Sequence, residues 1–143
     1  MVRTAVHIEH VALWTHDLER LAAFYARYFD AIVGDKYANP AKGFESRFLS
    51  FAGGARIELM QTSTLELERA ARGAQRLGLT HLALSLGSEQ RVDELTQRLR
   101  SDGHEVLDGP RRTGDGYYES VALDPDGNRI EISAGQARRA DCC

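Results

Sequence analysis

Alternation of apolar and polar residues is the clearest pattern in this chain, and it predicts most of the β-strands. Over residues 8–14, the even-numbered positions fall on one face and the odd-numbered positions on the other, as in an extended strand. The same alternation, or a short apolar run between turn residues, predicts the remaining strands at 31–37, 44–51, 55–61, 79–86, 105–107, 117–123 and 128–133.

Two segments instead repeat their apolar residues at i, i+3 and i+4, which is typical of an amphipathic helix. The first covers residues 18–29 and follows Asp17, a residue type suited to cap a helix N-terminus. The second follows Ser88 and reaches about Asp102, where Gly103 is suited to end it. The sequence therefore predicts two helices, each preceded by its own cap.

Glycine and proline predict the breaks between these elements. Residues 39–43 and 111–116 are predicted to be loops, and the Gly-Pro pair at 109–110 is predicted to end the strand at 105–107. The connecting segment 62–78 contains leucine and alanine at spacings that predict a short helix.

The strand and helix patterns occur in two copies. His10 opens the first copy and His81 the second, and each copy closes with an Arg-Ile-Glu segment that carries Glu58 or Glu131 after a glycine-containing turn. His10 precedes Glu58 by 48 residues and His81 precedes Glu131 by 50 residues. Such self-similarity predicts a duplicated β-α-β-β-β unit.

The repeat predicts an α+β fold in which two fused βαβββ modules form a curved mixed sheet around a shared cavity. The modules are expected at about 6–61 and 79–134. No linker rich in glycine, proline or serine separates them, so we expect one domain spanning 6–134, followed by a polar tail at 135–143.

Composition and charge exclude several classes of protein. The net charge of −3 and the pI near 5.9 argue against a nucleic-acid partner. No apolar run approaches the ~20 residues of a membrane span, and the first residues lack the apolar core of a signal peptide. The only cysteines, Cys142 and Cys143, are the last two residues and cannot cross-link a fold, which favours a cytoplasmic location.

The repeat places two imidazoles and two carboxylates at equivalent positions, namely His10, Glu58, His81 and Glu131. With both histidines neutral, this set carries a charge of about −2, which balances a divalent cation. Mixed nitrogen and oxygen ligands suit Ni, Co, Zn, Mn or Fe. The alternative is that the repeat reflects duplication alone and that these polar residues line a wet cavity.

Each of four further residues near the predicted site has two possible interpretations. Arg56 and Arg129 have the same strand parity as the neighbouring glutamates, which predicts local charge pairs, and the alternative is that they bind an anionic substrate. Tyr117 and Tyr118 alternate along a strand, so one of them should face the cavity, where it would either pack or donate a hydrogen bond to a ligand.

Several short segments carry a family resemblance. They are Ile8-Glu9-His10-Val11-Ala12-Leu13, Asp17-Leu18-Glu19 with Phe24-Tyr25, Arg56-Ile57-Glu58-Leu59, Thr80-His81-Leu82-Ala83, and Asp124-Pro125-Asp126-Gly127-Asn128-Arg129-Ile130-Glu131. Over about residues 6–134, the chain resembles the glyoxalase/bleomycin-resistance/extradiol-dioxygenase superfamily, also called the vicinal oxygen chelate superfamily.

The resemblance implies that His10, Glu58, His81 and Glu131 bind a divalent metal and that Glu131 also acts as the catalytic base. The order His, Glu, His, Glu is similar to that of lactoylglutathione lyase. It implies a metal-dependent lyase or isomerase acting on a small vicinal-oxygen substrate, such as the thiol hemithioacetal of a 2-oxoaldehyde. Glutathione or another thiol as cosubstrate and a homodimeric state are implied with it.

The same superfamily offers alternatives to this activity. The ligand order is also similar to that of methylmalonyl-CoA epimerase. Dioxygenases that use Fe(II) typically have three ligands, and Glu58 at the fourth position argues against them. A non-catalytic protein that binds or sequesters a small molecule is the alternative from a different class, and such members lack the metal set.

Overall fold

The computed structural model describes residues 5–67 and 70–136. The chain divides into two compact units, Met1–Arg69 and Ala70–Cys143, and the described residues of each form one mixed β-sheet and one α-helix. The predicted α+β fold with a duplicated strand and helix order is therefore confirmed. Cys142 and Cys143 lie outside the described residues, as does most of the predicted polar tail.

The first unit is a mixed sheet with one helix. The elements are β1 (His10–Trp14), α1 (Leu18–Phe29), β2 (Ile32–Val33), β3 (Tyr37–Asn39), a 3₁₀ turn (Pro40–Lys42), β4 (Phe44–Ser50) and β5 (Arg56–Thr62). The strands have the order β1-β5-β4-β2, with β3 also paired to β4, and only the β1–β5 pair is parallel.

Helix α1 forms where its caps and its apolar face predict it. The side chain of Asp17 accepts a hydrogen bond from the backbone N–H of Arg20 at 3.0 Å, as the N-cap prediction requires. The helix ends at Asp30, whose φ of 54° is left-handed. Along one face, Leu21 and Tyr25 are fully buried, and the helix packs on β4 and β5.

The second unit repeats this plan with β6 (His81–Ser85), α2 (Glu89–Ser101), β7 (Val106–Arg112), β8 (Tyr118–Leu123) and β9 (Arg129–Ser133). Its four strands have the order β6-β9-β8-β7, and only β6 and β9 are parallel. Ser88 caps helix α2 by accepting a hydrogen bond from the N–H of Arg91 at 3.3 Å, and Val92 and Leu99 are fully buried as the spacing predicts.

The turn that precedes β9 is held from two sides. The Asp124 carboxylate accepts hydrogen bonds from the backbone N–H groups of Asp126 and Asn128, both at 2.9 Å. The Arg72 guanidinium donates to the carbonyl oxygens of Asp124 and Pro125 at 3.2 and 2.9 Å. Because Asp124 is fully buried and these contacts close the turn, the register of β9 is firmly determined.

Three local predictions are wrong. Residues 31–37 form parts of two short strands, β2 and β3, because each pairs separately with β4. Residues 39–43 contain the 3₁₀ turn, because the side chain of Asn39 caps the N–H of Lys42 at 3.3 Å. The described part of 62–78 contains no helix, and Gly73 there has a left-handed φ of 69°.

A fourth prediction fails at the Gly-Pro pair. Strand β7 continues through it to Arg112 instead of ending at 107, with a shift in register against β8. Gly109 has a φ of 79°, and a Cβ there would lie 2.6 Å from the carbonyl oxygen of Glu119. Close approach of the two backbones therefore requires glycine at this position.

Candidate metal centre

In the first unit, His10 on β1 and Glu58 on β5 lie side by side. The two strands are parallel, with His10 opposite Arg56 and Ala12 opposite Glu58. This register brings His10 Nε2 to 3.5 Å from Glu58 Oε2. The His10 side chain is 38% exposed, so the pair is open to solvent.

The second unit contains the same arrangement. His81 lies opposite Arg129 and Ala83 lies opposite Glu131, so the register of β6 on β9 reproduces that of β1 on β5. His81 Nε2 lies 3.2 Å from Glu131 Oε2, and the His81 side chain is also 38% exposed. The sequence repeat therefore corresponds to a repeat of side-chain geometry within each unit.

Both pairs have the chemistry and spacing of two adjacent metal ligands. Imidazole nitrogens and carboxylate oxygens bind first-row divalent metals at about 2.0–2.2 Å, so two neighbouring ligands on one ion lie about 3–3.5 Å apart. The observed separations of 3.5 and 3.2 Å agree with this spacing. Within residues 5–67 and 70–136, neither unit by itself gathers three or more His, Cys, Asp or Glu side chains into such a group.

The histidine of the first unit is held from behind by a carboxylate. Glu9 hydrogen-bonds with His10 Nδ1 through one oxygen and accepts from Arg56 Nη2 through the other. The Arg56 guanidinium also lies over the Phe48 ring, 4.1 Å from its centroid. The His10 ring meets the same Phe48 ring edge to face, with centroids 5.3 Å apart. These four side chains thus form a closed ring of contacts.

In the second unit, a buried carboxyl group lies next to the His81–Glu131 pair. Glu119 on β8 is only 7% exposed and hydrogen-bonds with Glu131. Arg111 Nη1 lies 3.5 Å from Glu119 Oε1, and its Nε donates to Asp108 at 2.6 Å. Burial, followed by the hydrogen bond and the negative charge of Glu131, raises the pKa of Glu119 to about 7.

This pKa predicts how the stability of the metal-free protein depends on pH. Between the ordinary value of 4.5 and about 7, the folded state holds a proton on Glu119 that the unfolded state releases. The stabilisation that this proton gives the folded state is fully present below about pH 4.5 and is lost as the pH rises through about 7. The free energy of unfolding should fall by on the order of 2–3 kcal/mol across this range. Glu119→Gln should remove this loss, as urea denaturation of chelator-treated protein at about pH 5 and 8 would show.

The matched control for this prediction is Glu94→Gln, which changes an exposed carboxylate on α2. It should retain the wild-type dependence on pH. A Glu119→Gln protein whose stability still falls by the same amount between the two pH values would contradict the assignment of the proton to Glu119.

The other residues singled out in the sequence have contacts of their own. Arg56 pairs with Glu9 rather than with Glu58, so the predicted partner is wrong. Arg129 Nε donates to the carbonyl of Gly73 at 2.9 Å. The Tyr118 hydroxyl donates to Asp93 Oδ1 on α2 at 2.6 Å, so this tyrosine faces the helix. The use of Tyr117 in binding remains a prediction.

Two residues of these surroundings were not predicted from the sequence. Glu9 was expected on the face opposite His10, but it directly precedes β1 and its carboxylate contacts His10 Nδ1. Glu119 has the strand parity of Val121, which lies opposite Glu131, and this is the one signal that could have indicated it. Using that signal requires the register of β8 on β9.

Comparison with known proteins decides the family. The family model of the Glyoxalase/Bleomycin resistance protein/Dioxygenase superfamily matches residues 7–132. The chain belongs to this superfamily. It is 28% identical over 130 residues to the uncharacterized protein YqjT of Bacillus subtilis (strain 168). The match covers 89% of this chain and 98% of YqjT.

Solved structures of this superfamily have the same fold. One is a glyoxylase/bleomycin resistance protein/dioxygenase domain from Frankia sp. EAN1pec. The match covers 93% of this chain and 100% of the Frankia chain, with a TM-score of 0.77 and 20% sequence identity. Another is glyoxalase I of Leishmania major, which is described as trypanothione-dependent. The match covers 90% of this chain and 86% of the Leishmania chain, with a TM-score of 0.67 and 21% sequence identity.

Glyoxalase I of Zea mays is similar over only part of its length. The match covers 90% of this chain but 44% of the maize protein, with a TM-score of 0.73 and 22% identity. At these identities the likeness shows the fold alone. In the described part of this superfamily member, no helix is both long and apolar enough to cross a membrane.

Proposed function

We propose that this protein is a metal-dependent lyase or isomerase of the glyoxalase type. The observation that carries the proposal is the repeated His–Glu pair, with the same strand register and with nitrogen–oxygen separations of 3.5 and 3.2 Å in the two units. A duplicated fold does not by itself require that all four polar residues be kept. Their retention in ligand geometry supports a metal role for His10, Glu58, His81 and Glu131.

The proposed substrate is a small molecule with oxygens on adjacent carbons, such as the thiol hemithioacetal of a 2-oxoaldehyde. A divalent ion held by the four residues would supply Lewis-acid chemistry. The protein must then move a proton from one carbon to the next, and a carboxylate next to the reacting carbons is suited to take and return it. We assign this proton transfer to an Oε atom of Glu131.

Two features of the chain support Glu131 rather than Glu58 in this role. Glu131 hydrogen-bonds with the buried carboxyl of Glu119, which would provide a partner for its carboxylate away from a metal. In the first unit, the position that corresponds to Glu119 by strand register is Ser46. Glu58 is therefore proposed as a fixed ligand.

The test of the proposal is metal binding followed by an activity screen. The wild-type protein, loaded with Ni, Co, Zn, Mn or Fe, should bind metal tightly. His10→Ala and His81→Ala should each weaken binding by more than ~10-fold, since a ligand matters at least as much as an outer residue. The change His16→Ala, at an exposed histidine outside both pairs, should leave affinity unchanged.

The two histidine variants also show whether the pairs act together. If both pairs complete one ligand set, either variant should abolish tight binding entirely. If each pair binds separately, each variant should retain about half of the bound metal. A wild-type protein that binds none of these ions would contradict the proposal and favour the small-molecule binding protein.

The activity screen separates the enzyme classes. Isomerisation of a hemithioacetal would support the proposed activity, inversion of configuration at a carbon with exchange of its α-proton would favour an epimerase, and oxygen-dependent ring cleavage of a catechol would favour an Fe(II) dioxygenase. The homodimer and the thiol cosubstrate that accompany the proposed function stay predictions.

A further inference from the structure

The two proposed histidine ligands are supported differently, and the difference lies in Glu9. Its carboxylate joins His10 Nδ1 to the Arg56 guanidinium. In the second unit, residue 80 is threonine at the position preceding His81, and Arg129 donates to a backbone carbonyl. Among the described contacts, no carboxylate meets Nδ1 of His81.

A carboxylate at one nitrogen of a neutral imidazole determines which nitrogen carries the proton. The proton resides on the nitrogen that donates to the carboxylate, and the other nitrogen keeps its lone pair for a metal. In His10, Nδ1 meets Glu9, and Nε2 lies 3.5 Å from Glu58 Oε2. The arrangement therefore leaves Nε2 as the ligating nitrogen.

Arg56 restrains Glu9 in turn. Its guanidinium donates to the second carboxylate oxygen and stacks on Phe48, whose ring also contacts His10. Because the side chain of Glu9 is about half exposed, it would otherwise sample several rotamers in water. Two attachments limit that freedom and maintain its contact with Nδ1.

We propose that Glu9 is a positioning residue that holds His10 with its proton on Nδ1 and its Nε2 directed to the metal, and that Arg56 holds Glu9 for this purpose. The inference rests on the proposed metal role of His10. It would give the first unit a pre-oriented imidazole, whereas the described contacts include no such carboxylate for His81. Outer residues of this kind typically change metal affinity by about 10–100-fold.

The first experiment reads the tautomer directly and needs no metal. Nitrogen-15 NMR of the histidine rings in chelator-treated protein, at a pH about two units above the ordinary pKa of histidine, distinguishes a protonated Nδ1 from a protonated Nε2. His10 should have its proton on Nδ1 in the wild type and lose that preference in Glu9→Ala. His81 serves as the internal control and should be unchanged.

The second experiment measures metal affinity by calorimetric titration with Zn²⁺. Glu9→Ala should weaken Zn²⁺ binding about 10–100-fold. Glu9→Gln should weaken it less, because the glutamine amide oxygen still accepts a hydrogen bond from His10 Nδ1. Arg56→Ala should also weaken it less than Glu9→Ala does. The matched control is Glu45→Ala, which removes a partly exposed carboxylate that pairs with Lys36 on the first unit. It should bind Zn²⁺ as the wild type does.

The outcomes separate this inference from the proposed function. A Glu9→Ala protein with an unchanged His10 tautomer, or with Zn²⁺ affinity within about 2-fold of the wild type, would overturn the positioning role. A wild-type protein that binds no divalent ion would overturn the proposed function, and the tautomer measurement would still decide whether Glu9 orients His10. An equal loss of folding stability in Glu9→Ala and Glu9→Gln with no difference in affinity would indicate a merely structural contact and count against the inference.

Discussion

Replacing Glu131 with glutamine should lower turnover of the proposed hemithioacetal substrate by ~10²-fold or more, the amount that general-base catalysis contributes. Glutamine retains an oxygen that can still coordinate a metal, but it cannot take up the substrate proton. Most of the metal should therefore remain bound while the rate falls. Steady-state kinetics and metal analysis of the same preparation would check both parts.

The comparison variant is Glu58→Gln, since Glu58 has the same place in the first unit. There the loss of activity should follow from weaker metal binding, so that excess metal restores a large part of the rate. If metal restores Glu131→Gln as well, or if the two variants remain equally inactive at saturating metal, the assignment of the base to Glu131 is wrong.

A second large effect is expected in the core beneath the candidate ligands. Leu59 follows Glu58 on β5, points to the opposite face of the sheet, and is fully buried. Leu59→Ala removes the isopropyl group and leaves a cavity, so the free energy of unfolding should fall by about 2–5 kcal/mol. Urea denaturation monitored by circular dichroism would measure this loss.

The control for this change is a leucine that lies outside the hydrophobic core. Leu77 is completely exposed in the connecting segment, and Leu77→Ala should alter the free energy of unfolding by less than about 0.5 kcal/mol. Because the chain forms two compact units, the denaturation curve can show two transitions. Leu59→Ala should then lower only the transition of the first unit, and an equal shift in both would contradict this prediction.

Much of the fold was predictable because the determining interactions are local. Asp17 and Ser88 cap helices within three residues of themselves, and the apolar periodicity of each helix marks the face that becomes buried. The Asp-Pro-Asp-Gly turn before β9 is likewise formed by contacts between residues that are close in the chain. Such features are visible in any sequence that carries the right residue types at the right spacing.

The candidate ligands were predictable for a different reason. His10 and Glu58, like His81 and Glu131, occur in two copies of one pattern, so each pair supports the interpretation of the other. In the structure, equal strand registers convert that sequence repeat into equal side-chain geometry within each unit. The sequence by itself thus determined the family, both helices, most of the strands and the two His–Glu pairs.

The tertiary structure alone decided which groups support those pairs. Glu9 reaches Arg56 across 47 positions of sequence, and Glu119 becomes a neighbour of Glu131 only through the register of β8 on β9. Strand β7 passes through Gly109 because β8 pairs with it and approaches too closely for a side chain. In each case the deciding contact joins residues that are separated in the chain. Local patterns of hydrophobicity and turn chemistry do not show which separated residues come into contact.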